Sequence, residues 1–188
     1  MKSHQDDNIN QVAELAHTSV EDCYQCGKCT AGCPMAEAMD LGPSQIMRLV
    51  QLGQVDRAAK AESPWLCVSC MTCTTRCPQE VEIAGIMDAV KQIAIERGLV
   101  ADSQMRTLVF QRAFLDNIRK YGRLHELGLV QMFKMAAFMN DYSVIKAMEG
   151  AMLGPKMLMK GKLHLAATKV KDRGVVKRIF ERCMKNGK

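Results

Sequence analysis

Residues 23–34 read Cys23-Tyr24-Gln25-Cys26-Gly27-Lys28-Cys29-Thr30-Ala31-Gly32-Cys33-Pro34, and residues 67–78 read Cys67-Val68-Ser69-Cys70-Met71-Thr72-Cys73-Thr74-Thr75-Arg76-Cys77-Pro78. Both spell C-x2-C-x2-C-x3-C-P. Eight of the nine cysteines lie inside these two runs. A thiolate is a soft metal ligand, and three thiolates spaced by two residues wrap a single loop round a metal centre. A chain this tight cannot also turn to the far side of that centre, so each run leaves its fourth cysteine free to act elsewhere. Gly27 and Gly32 permit close backbone approach. Pro34 and Pro78 fix φ just past each run and turn the chain away.

Outside the runs the sequence is helical in character. The N-terminal residues read as a flexible entry followed by a short helix with Val12, Leu15 and Ala16 on one face. Between the runs, Ser44 is the expected N-cap of a helix carrying Ile46, Met47, Leu49 and Val50, stopped at Gly53. A second short helix over about 55–61 leads into Ser63-Pro64-Trp65-Leu66, with Trp65 either a core residue or a shield beside the second run. Ile83, Ile86, Met87, Val90, Ile93 and Ala94 mark a strong amphipathic helix closed at Gly98. Asp102 or Ser103 is placed to cap the next one, with Leu108, Phe110, Phe114, Ile118 and Tyr121 on its apolar side and Gly122 interrupting it. Further helices are expected around 125–139, 143–152 and 173–186. No segment alternates with period 2, so the expected class is all-α, with an N-terminal segment (1–20), a cysteine-bearing domain (21–98) and a helical extension (99–188).

Composition narrows the class. Over 188 residues, 48% are apolar, 24% charged and 5% aromatic, as in an ordinary folded domain. The start of the chain is polar and lacks the apolar stretch of a secretory signal, and no apolar run is long enough to span a bilayer. A cytoplasmic location is therefore expected, where dense cysteines serve as metal ligands rather than disulfides. Charge is lopsided: residues 154–188 hold eleven Lys and Arg against Asp172 and Glu181, a balance of +9, while the rest sums to −3. Such a tail suits an acidic partner or an anionic surface, although it lacks the interleaved aromatics of a nucleic-acid binder. Cys183, His4, His17, His125 and His164 show no ligand spacing. The methionines at 132, 135, 139, 148, 152, 157 and 159 read as core or interface packing. No glycine-rich nucleotide loop and no Ser/His/Asp arrangement is present, so no catalytic residue is assigned.

The cysteine spacing resembles that of bacterial two-cluster ferredoxins, in which the fourth cysteine of each run ligates the other cluster. The resemblance implies two [4Fe–4S] clusters, one on Cys23, Cys26, Cys29 and Cys77, the other on Cys67, Cys70, Cys73 and Cys33. Zinc is the competing metal, but its sites pair cysteines two and two. With its helical spacer and helical, basic tail, the chain resembles more closely the C-type component of heterodisulfide reductases, an α-helical ferredoxin. That family implies an electron relay from a flavin-containing A-type subunit to a B-type subunit whose CCG motifs mark the disulfide-reducing site. This chain has no CCG pair, so disulfide reduction falls to the partner. A freely diffusing ferredoxin and a component of a membrane-docked, quinone-reactive complex are the alternatives.

Overall fold

The computed structural model describes residues 2–139, 159, 170 and 172–186. The chain divides into two compact units, Met1–Gln104 and Met105–Lys188. Among the described residues all regular structure is helical, in agreement with the all-α expectation.

The first unit is built round one helix. Helices α1 (Lys2–Ala16), α2 (Lys28–Ala31), α3 (Pro43–Gln51), α4 (Val55–Lys60), α5 (Ser63–Leu66), α6 (Thr72–Thr75) and α7 (Ile83–Glu96) follow in order, with a short 3₁₀ turn at Ala36–Ala38. Helix α7 packs against α1, α3, α4, α5 and α6. Enclosed from so many directions, it buries more than one stripe: Ile83, Ala84, Ile86, Met87, Ala89, Val90, Ile93 and Ala94 are all shielded from solvent. Val12 of α1, Ile46, Met47 and Val50 of α3, and Val55 and Ala58 of α4 are fully buried. Each large aliphatic side chain so buried contributes roughly 1.5–3 kcal/mol relative to exposure.

The helix stops are local and match the sequence reading. Gly53 has φ +67° and Gly98 has φ +65°, the left-handed conformation that glycine adopts without steric cost. After α3, Gln54 N–H donates to Leu49 O at 2.9 Å and Gly53 N–H to Val50 O at 2.9 Å. After α7, Leu99 N–H reaches Ala94 O at 2.8 Å and Gly98 N–H reaches Ile95 O at 3.4 Å. Both patterns satisfy carbonyls that a helix end leaves without intrahelical partners.

The helix starts differ from expectation. Helix α1 begins at Lys2, so the expected flexible entry is helical. Arg97, just past α7, draws α1 and α4 together, its guanidinium donating to Asn8 Oδ1 at 2.8 Å, Gln11 Oε1 at 2.6 Å and Asp56 Oδ1 at 2.5 Å. Ser44 is not an N-cap. The N-cap is Gly42, two residues earlier, and helix α3 starts at Pro43, whose ring presets the helical φ and whose missing N–H costs nothing there. Gln45 Oε1 accepts from Gly42 N–H at 2.8 Å, and the Ser44 N–H is capped by Thr30, a residue distant in sequence.

In the second unit, α9 (Glu126–Met139) and α10 (Arg173–Asn186) match the expected spans; α8 (Asp102–Tyr121) begins in the first unit and continues into the second. Gly122, at φ +81°, ends α8 as expected. Asn117 is fully buried, an inward position that apolar periodicity did not reveal. Its side chain accepts from His125 N–H at 2.7 Å and donates to His125 O at 3.2 Å, bracing the α8–α9 turn. Phe110, expected on the apolar side, rests against Phe114 and Phe133 yet stays 44% exposed. Met135 and Met159 are exposed rather than core residues. The helix expected at 143–152 and most of the basic tail lie outside the described residues. Arg173, Lys177, Arg178 and Arg182 of α10 are solvent-exposed.

Candidate metal centre

The two cysteine runs fold into the same loop. In the first, Gln25 (φ +63°) and Gly27 (φ +76°) are left-handed; in the second, the corresponding Ser69 (φ +50°) and Met71 (φ +61°) are left-handed. Gly27 and Met71 are the N-cap residues of the one-turn helices α2 and α6, which carry Cys29 and Cys73. Each turn closes in the same way, Cys33 N–H donating to Thr30 O at 3.1 Å and Cys77 N–H to Thr74 O at 3.0 Å. Helices α2 and α6 pack together. An added Cβ at Gly32 would stand 2.6 Å from a guanidinium nitrogen of Arg76, so glycine is what lets the second loop's side chain lie against the first.

Each loop also starts a long helix. Thr30 Oγ1 accepts from Ser44 N–H at 3.0 Å, in the first turn of α3. Its counterpart Thr74 Oγ1 accepts from Ala84 N–H at 3.2 Å, in the first turn of α7. Nearby, Thr18 Oγ1 accepts from Glu82 N–H at 3.1 Å. These hydroxyls satisfy N–H groups that have no partner inside the helix. The cysteine loops are thereby tied to the two helices that line the core.

Different anchors hold the two loops at their entrances. Gln51 of α3 donates to Cys23 O at 2.6 Å and Val20 O at 3.2 Å, and its Oε1 accepts from Gln25 Nε2 at 3.1 Å. Gln25 Nε2 also donates to Cys23 Sγ at 3.6 Å. The second loop is led in by α5, whose start is clamped by Asp40. That carboxylate accepts from Ser63 N–H at 2.9 Å, Glu62 N–H at 3.1 Å, Leu41 N–H at 2.9 Å and the Ser63 hydroxyl. Burial alone would raise its pKa, but these donors together hold it below the usual carboxylate value. Neither Gln51 nor Asp40 was singled out from the sequence.

The cysteines gather round two hollows. One is lined by Cys23, Cys26 and Cys29 of the first run together with Cys77 of the second. The other is lined by Cys67, Cys70 and Cys73 of the second run together with Cys33 of the first. Trp65 is buried in the core and is not among the residues lining either hollow. Cys183 is exposed on α10, in the second unit. His17 is exposed at the end of α1 and lines neither hollow.

The donor set fits a polynuclear centre. Among the described residues, no three His, Cys, Asp or Glu side chains stand close enough together to hold a single metal ion. Four sulfurs round a hollow instead suit a group with several metal atoms, one for each thiolate. Burial pushes the thiols of Cys29 and Cys73 up, and they occupy the same place in their respective loops. A metal cation beside such a thiol would favour its thiolate form. Cys70 is exposed, and its hydrogen bond with the Thr72 hydroxyl lowers its pKa.

Residues 19–81 match the 4Fe-4S dicluster domain family. The chain is 38% identical over 92 residues to the C-type iron–sulfur subunit of the CoB–CoM heterodisulfide reductase of Methanopyrus kandleri, covering 49% of this chain and 48% of that one. It is 33% identical over 96 residues to the second C-type iron–sulfur subunit of the corresponding reductase of Methanocaldococcus jannaschii, covering 51% of each. A protein of Archaeoglobus profundus, itself described as like the C-type component of heterodisulfide reductase, is 30% identical over 101 residues, 52% of this chain and 54% of that one. The chain thus spans about half the length of the curated relatives it matches. No described helix is long and apolar enough to cross a membrane.

Proposed function

We propose that this iron–sulfur protein, whose residues 19–81 form a dicluster domain for two [4Fe–4S] clusters, is the electron-relay subunit of a heterodisulfide-reductase-type complex. Cys23, Cys26, Cys29 and Cys77 hold one cluster; Cys67, Cys70, Cys73 and Cys33 hold the other. Bound there, each cluster accepts and releases single electrons. The observation that carries the reading is the pair of hollows, each lined by three cysteines of one run and the fourth of the other.

The chain's residues do three things for such a relay. The eight thiolates fix the clusters and tie two loops, distant in sequence, into one unit. Thr30 and Thr74 hold those loops against α3 and α7, so that the ligands move little when the charge of the site changes. Cys26 and Cys70, one in each set, are exposed and give each site an edge open to a redox partner. A flavin-containing A-type subunit supplies electrons, and a CCG-motif B-type subunit receives them and reduces a disulfide. The cytoplasm is the expected compartment, and no nucleic acid takes part.

Anaerobic loading followed by iron analysis and EPR tests the centre. About eight irons per chain and two cubane signals after dithionite reduction are expected; stoichiometric zinc would overturn the proposal. Gel filtration of native extract tests the assembly: a cluster-bearing species near the chain's own 20.9 kDa would favour a free carrier instead. Salt-resistant sedimentation with membranes would favour a quinone-reactive complex.

A further inference from the structure

The two hollows are lined alike in cysteines and differ in the other residues around them. Gln25, Lys28 and Ser44 are among the residues lining the first, with Lys28 exposed to solvent and the Ser44 hydroxyl paired with Thr30 Oγ1 at 2.8 Å. Met35, Met39, Met71 and Met87 bring thioethers to the second, with Pro34 and Pro43 beside them. At the place of Lys28 in the first loop, the second loop has Thr72.

Donors to the sulfurs differ in the same sense. Gln25 Nε2 donates to Cys23 Sγ, and that amide is itself fixed, because its other hydrogen bond goes to Gln51 Oε1. Gln51 is fixed in turn by Val20 O and Cys23 O. Backbone Val81 N–H, which has no rotational freedom, points at Cys77 Sγ at 3.4 Å. In the second set the Cys70 sulfur contacts the Thr72 hydroxyl at 3.4 Å, in an exposed place where water competes. The loop position of Gln25 is taken there by Ser69, whose hydroxyl makes no hydrogen bond to Cys67.

An N–H aimed at a ligand sulfur stabilises the extra negative charge that reduction brings. On the ligand sets proposed above, we infer that Gln25, held by Gln51, makes the Cys23/Cys26/Cys29/Cys77 site the more readily reduced of the two. A chain carrying one electron then keeps it on the first site at equilibrium, with no bond made or broken and no proton moved. Gln25 is a positioning residue, acting on the site through the Cys23 sulfur.

The test is a dithionite titration of the anaerobically loaded protein, followed by EPR, for the native chain and for Gln25→Leu, Gln25→Glu, Gln51→Leu and Cys77→Ser. Gln25→Glu keeps the size of the side chain, removes the donor and adds a negative charge, so it locates which couple Gln25 acts on if the leucine variant loads poorly, while the size of the effect is read from Gln25→Leu. The native chain should show two midpoints. Losing the amide donor should lower only the more positive one, with the reduced-to-oxidised ratio at a fixed potential falling roughly tenfold, or about 59 mV for a one-electron couple. Gln51→Leu, which frees the amide, should move the same midpoint in the same direction by less. Cys77→Ser should erase the signal that Gln25→Glu moves. The inference is overturned if the more negative midpoint moves, if both move equally, if neither moves, or if Cys77→Ser erases the other signal. Two intact couples unmoved by Gln25 would leave the relay proposal standing; a native chain without cubane signals would remove both.

Discussion

The loop at 23–34 and the loop at 67–78 follow one backbone path with different side chains, and the differences separate what a cluster-holding loop requires from what it tolerates. Both have the same cysteine spacing, the same two left-handed residues and a threonine that caps the next long helix. The left-handed N-cap is glycine in one and methionine in the other, so the conformation is required and the residue is not. The anchors differ in kind. A neutral amide, Gln51, holds the first loop's entrance, and a carboxylate, Asp40, holds the helix leading to the second. Equal geometry has thus been reached with unequal chemistry.

The largest expected effect tests whether the loops are separate at all. Cys77→Ser lies in the second run but borders the first hollow, so it should cost the first site its cluster, and Cys33→Ser should cost the second. In each case iron should fall from about eight to about four per chain, with one EPR signal lost. Loss of the signal belonging to the mutated run itself would show the loops to be independent.

Next come the threonine caps, where the two halves should respond alike. Thr30→Val and Thr74→Val each remove the acceptor for a helical N–H and should cost about 1 kcal/mol in denaturant unfolding. A large effect from one and none from the other would break the equivalence of the loops.

The anchors should instead respond differently, and pH separates them. Asp40 has a lowered pKa in the folded state. Its contribution is therefore fully present above the ordinary carboxylate pKa of 3.8 and is lost as pH falls through the lower, folded value. Asp40→Asn should reduce stability at neutral pH by about 1 kcal/mol, a modest figure because the group is partly solvated, and should flatten the acid limb of the unfolding curve. Gln51→Leu should destabilise at all pH values, leaving that limb unchanged.

The left-handed N-caps come last, and Met71→Gly carries the smallest effect. Nothing lies within 4 Å of a Cβ added at Gly27, so Gly27→Ala should cost only backbone strain, about 1 kcal/mol. Met71→Gly relieves the corresponding strain but loosens the unfolded chain, and should change stability by no more than about 0.5 kcal/mol. Calorimetric scans of the loaded protein would check both.

What the sequence determined by itself is what acts over short distances. Cysteine spacing, apolar periodicity in α7 and the glycine stops at 53 and 98 each depend on residues within a few positions, and each is found where the sequence placed it. The helix starts were less legible, because their caps come from elsewhere. Ser44 looked like a cap from its neighbours, yet Pro43 opens the helix and Thr30 supplies the hydroxyl. Asn117 is polar by type and buried by role, since its partners at His125 form only once the turn folds. The two cysteine sets belong to this second kind. Sequence alone names the eight thiols, and the resemblance to two-cluster ferredoxins implies that Cys33 and Cys77 cross over, but the sequence does not show the two hollows or that the Gln25 amide reaches the Cys23 sulfur. Those facts depend on packing α2 against α6 and on α7 serving five neighbours at once. Contacts between residues distant in the chain carry no periodic signal, so only the tertiary structure decided them.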